Sequence, residues 1–152
     1  MPGLDEVEER VDELGFSQID RIFSYREVKE LPGILRSSER LDNLVQGSYE
    51  GGRGLLVATD KRLVFVDKGF LWGVRVEDFA YGDISSIQCN TGLLRGKITI
   101  FSSGNKSCID RVNKNKARKF AEHVRTKLMD DKNSGGSSQH HVKELKQRFA
   151  QG

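Results

Sequence analysis

Cysteine is almost missing from this chain. Cys89 and Cys108 are the only two in 152 residues, too few for a disulfide framework. They read as buried or half-buried free thiols. Histidine is scarce as well, at His123, His140 and His141. No spacing offers the three or so protein ligands that a catalytic zinc needs. Neither cysteine has a histidine near it in sequence, so a nucleophile pair is not indicated. No Walker-type or dinucleotide glycine motif occurs; the glycines fall between strand-like segments. No apolar run approaches the ~20 residues that span a bilayer. The opening Met1–Glu9 segment is acidic and lacks the basic start and apolar stretch of a signal peptide. The expected compartment is the cytoplasm. No catalytic residue, metal ligand or cofactor is expected, and the chain is read as a non-enzyme.

What is present is charge, unevenly placed. Residues 1–30 hold nine acidic and four basic side chains, and residues 113–152 hold ten basic and four acidic ones. Opposite ends of this kind can attract each other, within one molecule or between two. A basic end also suits an anionic partner. Lys114, Lys116, Arg118, Lys119, Arg125 and Lys127 are not interleaved with stacking aromatics, so nucleic acid is not the expected partner.

Leu4, Val7, Val11 and Leu14 recur at helical spacing, with Gly15 as a stop and Ser17 as the N-cap of a second helix. Ile19, Ile22 and Phe23 give that helix a short apolar face, and Leu31-Pro32-Gly33 is expected to end it. The period then changes. Strands are expected near 41–50, 53–59, 62–67, 73–79, 84–90, 96–102 and 106–111, separated by short turn signals that imply an antiparallel meander. A slightly longer loop through Leu93-Leu94-Arg95-Gly96 joins the fifth and sixth. Asn113 caps a helix whose stripe is Ala117, Phe120, Ala121, Val124 and Leu128. Residues 130–141, rich in Gly and Ser, read as a flexible linker. Val142, Leu145 and Phe149 mark a short helical tail, too brief to stand alone in water.

The most informative run is Gly54-Leu-Leu-Val-Ala-Thr-Asp-Lys-Arg-Leu-Val-Phe65. Two apolar strands that suit a half-buried surface flank the turn Thr59-Asp60-Lys61-Arg62. Asp60 is expected to close that turn, and Lys61 and Arg62 to keep it soluble. This run resembles the hairpin of bacterial pleckstrin-homology-like domains of the YokE type. So do Gly47-Ser-Tyr-Glu-Gly51, Tyr81-Gly-Asp-Ile-Ser-Ser-Ile87 and Gly96-Lys-Ile-Thr-Ile100. The tail Val142–Gly152 is similar to the first helix of a short C-terminal segment of the SHOCT type. The resemblance implies an α+β fold: a PH-like seven-stranded antiparallel barrel or sandwich, capped by a C-terminal helix and preceded by an N-terminal helical extension. The expected units are 1–34 (extension), 35–129 (PH-like domain), 130–141 (linker) and 142–152 (tail). The resemblance implies a binding or assembly scaffold. Eukaryotic members use basic residues of the first hairpin loop to bind phosphoinositides. The matching loop here, Tyr49-Glu-Gly-Gly-Arg53, carries one arginine beside one glutamate.

The expected interaction site is the tip Lys68-Gly-Phe-Leu-Trp-Gly73. Phe70, Leu71 and Trp72 are consecutive, so an extended chain cannot hide all three on one face. With Lys68 they suit a protein interface or a membrane; the alternative is that Trp72 folds back to plug the barrel end. The expected function is protein binding or self-association through that tip, the N-terminal stripes or an edge strand. The alternative is weak contact with an anionic membrane through Phe70–Trp72 and the basic helix.

Overall fold

The computed structural model describes the backbone of residues 3–15, 18–69 and 73–150, and side chains within 3–15, 25–69 and 73–133. Two helices, α1 (Leu4–Glu13) and α2 (Gln18–Ile34), precede seven strands. These are β1 (Leu41–Tyr49), β2 (Gly52–Thr59), β3 (Arg62–Lys68), β4 (Val74–Ala80), β5 (Ile84–Thr91), β6 (Arg95–Ser102) and β7 (Asn105–Asn113). A single 3-10 turn at Tyr81–Asp83 joins β4 to β5, and α3 (Lys114–Ala150) follows. The strand order is β4-β3-β2-β1-β7-β6-β5, with every pairing antiparallel. The β1–β4 and β5–β7 meanders meet at one pairing, Ser48 opposite Asp110. Gly47 permits that crossing, since a Cβ there would lie 2.5 Å from Ile109 Cγ2.

Two apolar clusters lie on opposite faces of β2 and β3. Inside the barrel, Leu56, Ala58, Leu63 and Phe65 pack with Ile98, Ile100 and Ile109. The expected α3 stripe, Ala117, Phe120, Ala121, Val124 and Leu128, closes that interior. Tyr49 meets Phe65 edge to face at 5.2 Å, an arrangement the ring quadrupoles favour. On the outside, Leu55, Val57, Val64 and Val66 pack against Val7, Val11, Val28, Leu31 and Leu35. The central strands are thus buried on both faces, not half-buried. Their unbroken apolar runs reflect this, as in sheets covered on two sides. Val7 and Val11 of the first N-terminal stripe thus find their partner within the chain.

Two helix boundaries differ from expectation. α2 continues through Pro32, because Val28, Leu31 and Leu35 all face the outer cluster and Leu35 N donates to Leu31 O (2.9 Å). Packing here outweighs the hydrogen bond that proline removes. α3 runs as one element through 130–141 and on to Ala150. Extending a helix already anchored on a core needs no new nucleus, so the polar Gly/Ser stretch does not interrupt it. Ser17 and the side chains of Ile19, Ile22, Phe23, Val142, Leu145 and Phe149 lie outside the described residues. Asn113 caps α3 as expected: its Oδ1 accepts from the amides of Asn115 and Lys116, each at 3.1 Å.

Candidate functional site

Thr59, not Asp60, closes the β2–β3 turn. Its Oγ1 accepts from the amides of Lys61 and Arg62, each at 3.1 Å. Asp60 instead reaches back to the chain before β1: its Oδ1 accepts from Arg40 N at 2.7 Å, and its own amide donates to Arg40 O at 3.0 Å. Nor does Arg62 serve solubility. Its side chain is only 11% exposed and pairs with Glu39, which is fully buried (Nε–Oε2 2.9 Å, Nη2–Oε1 3.1 Å). The same guanidinium reaches Asp78 at 2.7 Å and Ile34 O at 2.9 Å. Thr59 Oγ1 donates to Glu39 Oε2 at 2.6 Å. Burial alone would raise the Glu39 carboxyl; hydrogen bonds from Arg62, Thr59 and the Arg36 amide outweigh it and hold the group below its usual range. The hairpin is therefore a clamp joining α2, β3 and β4. Lys61 alone of the charged pair is exposed, beside Asp60.

Phe70, Leu71 and Trp72 lie outside the described residues. Lys68, at the start of that tip, is turned toward α2: it forms an ion pair with Glu30, and its amide donates to buried Glu27 at 3.3 Å.

The two strands that end the sheet differ. Along β5, α3 packs close, and Arg125 donates to Ile87 O (3.4 Å) and Arg118 to Thr91 Oγ1 (3.1 Å). β4 has only β3 beside it and exposes Val74 and Val76. Its alternate residues Arg75 and Glu77 point inward. Arg75 lies over the rings of Tyr49 and Phe65 and donates to Tyr49 O at 2.7 Å. Glu77 accepts from Tyr49 OH at 2.9 Å. Inward charges on an edge strand discourage indiscriminate strand pairing.

A cluster the sequence reading did not single out lies where β1 and β2 cross β7. Gln46, Arg53, Leu94, Arg95, Arg111, Val112, Asn113 and Lys116 line a cleft of about 220 Å³. Four of these are cations and none is a carboxylate. Among the described residues, no carboxylate pairs with Arg53, Arg95 or Arg111. The neighbouring Asp110 is instead 4.0 Å from Lys97. Burial first, and then the charges of Arg95 and Arg111, push the Arg53 guanidinium below its ordinary value. Arg53 donates to Gln46 Oε1 at 3.3 Å.

The backbone is bent to build this cleft. Gly96 pairs with Val112 and Ile98 with Ile109, so Asp110 and Arg111 together face Lys97. Arg111 sits in that bulge with φ at +56°. Bulges re-aim side chains, and a non-glycine residue in this region is strained. Gly96 lets α3 approach: a Cβ there would lie 2.8 Å from Ala117 Cβ. Asn113 already satisfies two amides of the helix start, leaving side-chain cations as the donors facing the cleft. Four cations thus converge on a cleft whose lining holds no carboxylate, and arginine forks match phosphate or carboxylate oxygens in pairs.

Elsewhere, Cys89 and Cys108 are free and half-buried, as expected. Burial raises the Cys89 thiol, partly offset by Arg118 and Arg125. No group of three or more metal-ligating side chains occurs among the described residues. Nor, among them, is any helix long and apolar enough to cross a membrane.

No curated protein matches the chain. Among solved structures, it is similar to a pleckstrin homology domain from Shewanella amazonensis, at 24% identity over 56% of this chain and 79% of that one, with a TM-score of 0.42. It is also similar to a protein with a pleckstrin-homology domain from Shewanella loihica (23% identity, 60% and 81% covered, TM-score 0.41). A third is the C-terminal domain of an unknown protein from Leishmania infantum (16%, 74% and 99%, TM-score 0.49). Residues 35–126, more than half of the chain, match the family model described as the bacterial PH domain. With seven antiparallel strands and a capping helix in the implied order, the chain belongs to the bacterial pleckstrin-homology domain family.

Proposed function

We propose that this bacterial PH domain is a non-enzymatic binding module whose ligand presents phosphate or a similar compact polyanion to the Arg53–Arg95–Arg111–Lys116 cleft. The observation that carries the reading is the convergence of four cations, from β2, β6, β7 and α3, on a cleft whose lining holds no carboxylate. Holding like charges together disfavours the empty state, and a bound anion removes that repulsion. The cleft has no aromatic lining on which bases could stack, which favours a phosphate group over a nucleic-acid strand.

Titration calorimetry of the full chain with pyrophosphate tests this. Wild type binds, more weakly as salt rises, and Arg95→Gln/Arg111→Gln binds at least tenfold more weakly. Equal binding by the double variant, or none by wild type at low salt, overturns the proposal.

A second reading concerns β4. Val74 and Val76 are 38% and 42% exposed on a strand with one neighbour, which supports a protein interface there. Such an interface would lie next to the expected tip at Lys68–Trp72. The reading predicts a concentration-dependent solution mass that Val76→Lys abolishes; a constant monomer mass counts against self-association.

A further inference from the structure

The two edges of the sheet are guarded unequally. On β5 the register slips between Ile84 and Ser86, and Arg125 of α3 donates to the Ile87 carbonyl. Irregularities and covering side chains of this kind keep an edge from pairing. β4 has neither. It pairs with β3 at seven consecutive positions, from Arg62 opposite Ala80 to Lys68 opposite Val74, without a shift. It contains no proline and no lysine, and it is longer than the commonest strands. Among the described residues only β3 lies beside it, so its other side is a straight row of backbone donors and acceptors. The turn residues Leu93 and Leu94 are more exposed (89% and 81%) than Val74 and Val76. β4 alone sets apolar side chains along an open backbone edge.

The side chains decide what can pair there. Val76 stands opposite Val66 and Asp78 opposite Val64, so Val74, Val76 and Asp78 share the outer face. Arg75 and Glu77 take the inner face, opposite Asp67 and Phe65. Consider a second, antiparallel β4 related by a twofold axis through Val76. Val76 then meets Val76, Arg75 meets Glu77, and Val74 meets Asp78, the unlike pairs occurring twice by symmetry. Moving the axis one residue to either side sets Arg75 against Arg75 or Glu77 against Glu77, and like charges directly opposite are destabilising. An axis between residues sets inner side chains against outer ones, which the pleat forbids. The strand is therefore self-complementary in one central register. The inward charges that discourage indiscriminate pairing also select this one.

Building on the β4-interface reading, we infer that two copies of this domain pair β4 to β4, antiparallel, with Val76 on the twofold axis. The occupant of the open edge is a second copy of the chain. Two Arg75–Glu77 pairs fix the register on the inner face, and the Val76 contact joins the copies on the outer face. Arg75 remains 38% exposed in the single chain, within reach of such a partner. The two sheets become continuous across the axis.

The test uses the full chain and three variants of exposed positions. By light scattering, the mass of wild type rises with concentration toward that of a dimer and no further, because a twofold interface closes on itself. Val76→Lys opposes two cations on the axis and weakens the dimer about tenfold or more. With oxidised glutathione as oxidant, Val76→Cys forms an intermolecular disulfide. Opposed Cα atoms in an antiparallel pair lie about 5 Å apart, within disulfide range. Val74→Cys does not exceed the wild-type blank, which carries Cys89 and Cys108. Its two copies would stand four residues apart along the strands, about 13 Å, too far to bridge. Circular dichroism of each variant confirms an unchanged fold. A dimer that Val76→Lys abolishes, but that cross-links no better through Val76→Cys than through Val74→Cys, would overturn the register and leave the β4 interface standing. Species heavier than a dimer would likewise overturn the twofold pairing alone. A dimer indifferent to Val76→Lys, or a constant monomer mass, would overturn the inference together with self-association at β4.

Discussion

Arg62 and Arg111 stand on strands of one sheet, yet their surroundings are opposite. Arg62 meets Glu39, Asp78 and the Ile34 carbonyl, and is shielded from water. Arg111 meets Arg53 and Arg95 across a cleft without a carboxylate. Around Arg62 every charge is answered within the chain, so removing one partner strands another in a buried place. Around Arg111 the answer is missing, and the backbone is strained to keep it so. Compensated charge holds this fold together; uncompensated charge is what the proposed site would offer to an anion.

The largest way to break the contrast is Arg62→Met. It leaves Glu39 buried without its cation and should cost about 3 kcal/mol in urea unfolding. Adding Glu39→Leu should recover much of that loss, because the penalty belongs to the orphaned charge. An unchanged midpoint for Arg62→Met would mean that the clamp contributes little. Gly96→Ala comes next, at about 2 kcal/mol. The new methyl meets Ala117 Cβ and must lift the first turn of α3; pyrophosphate affinity should fall with it, since Lys116 moves too.

Arg111→Gly should have the opposite sign. It relieves a left-handed backbone and like-charge repulsion, so stability should rise by about 1 kcal/mol while anion binding falls. A loss of stability there would remove the claim that the cleft is held at a cost. The smallest effect is in pH. The Glu39 carboxyl is depressed in the folded state, so its contribution is complete above the ordinary value of 4.5 and is lost as pH falls below it. Glu39→Gln should flatten that part of the acid limb in denaturant titrations. Arg111→Gly should leave it intact.

How much of this could be read in advance depends on the range of the forces. All seven strands are separated by local turn residues, so they were visible as segments, as was the α3 stripe from Ala117 to Leu128. The exceptions follow a pattern. Pro32 signals a break that packing of Leu31 and Leu35 overrides. Asp60 looks like the turn closer, but Thr59 does that work because Asp60 is drawn to Arg40, twenty residues earlier. Arg62 looks solvated until Glu39 arrives. Leu93 and Leu94 were visible only as a loop, since nothing local says whether a turn leucine will find cover.

The cleft was the least legible part. Arg53, Arg95, Arg111 and Lys116 span more than sixty positions, and each alone is an ordinary surface cation. Local pattern determined the strands, their short connections and the capping helix, because periodicity and turn chemistry act over a few residues. The tertiary structure decided which charges would be paired and which left facing one another. That choice depends on the β1–β7 crossing and the bulge at Asp110–Arg111, which bring distant residues within reach of one charge field.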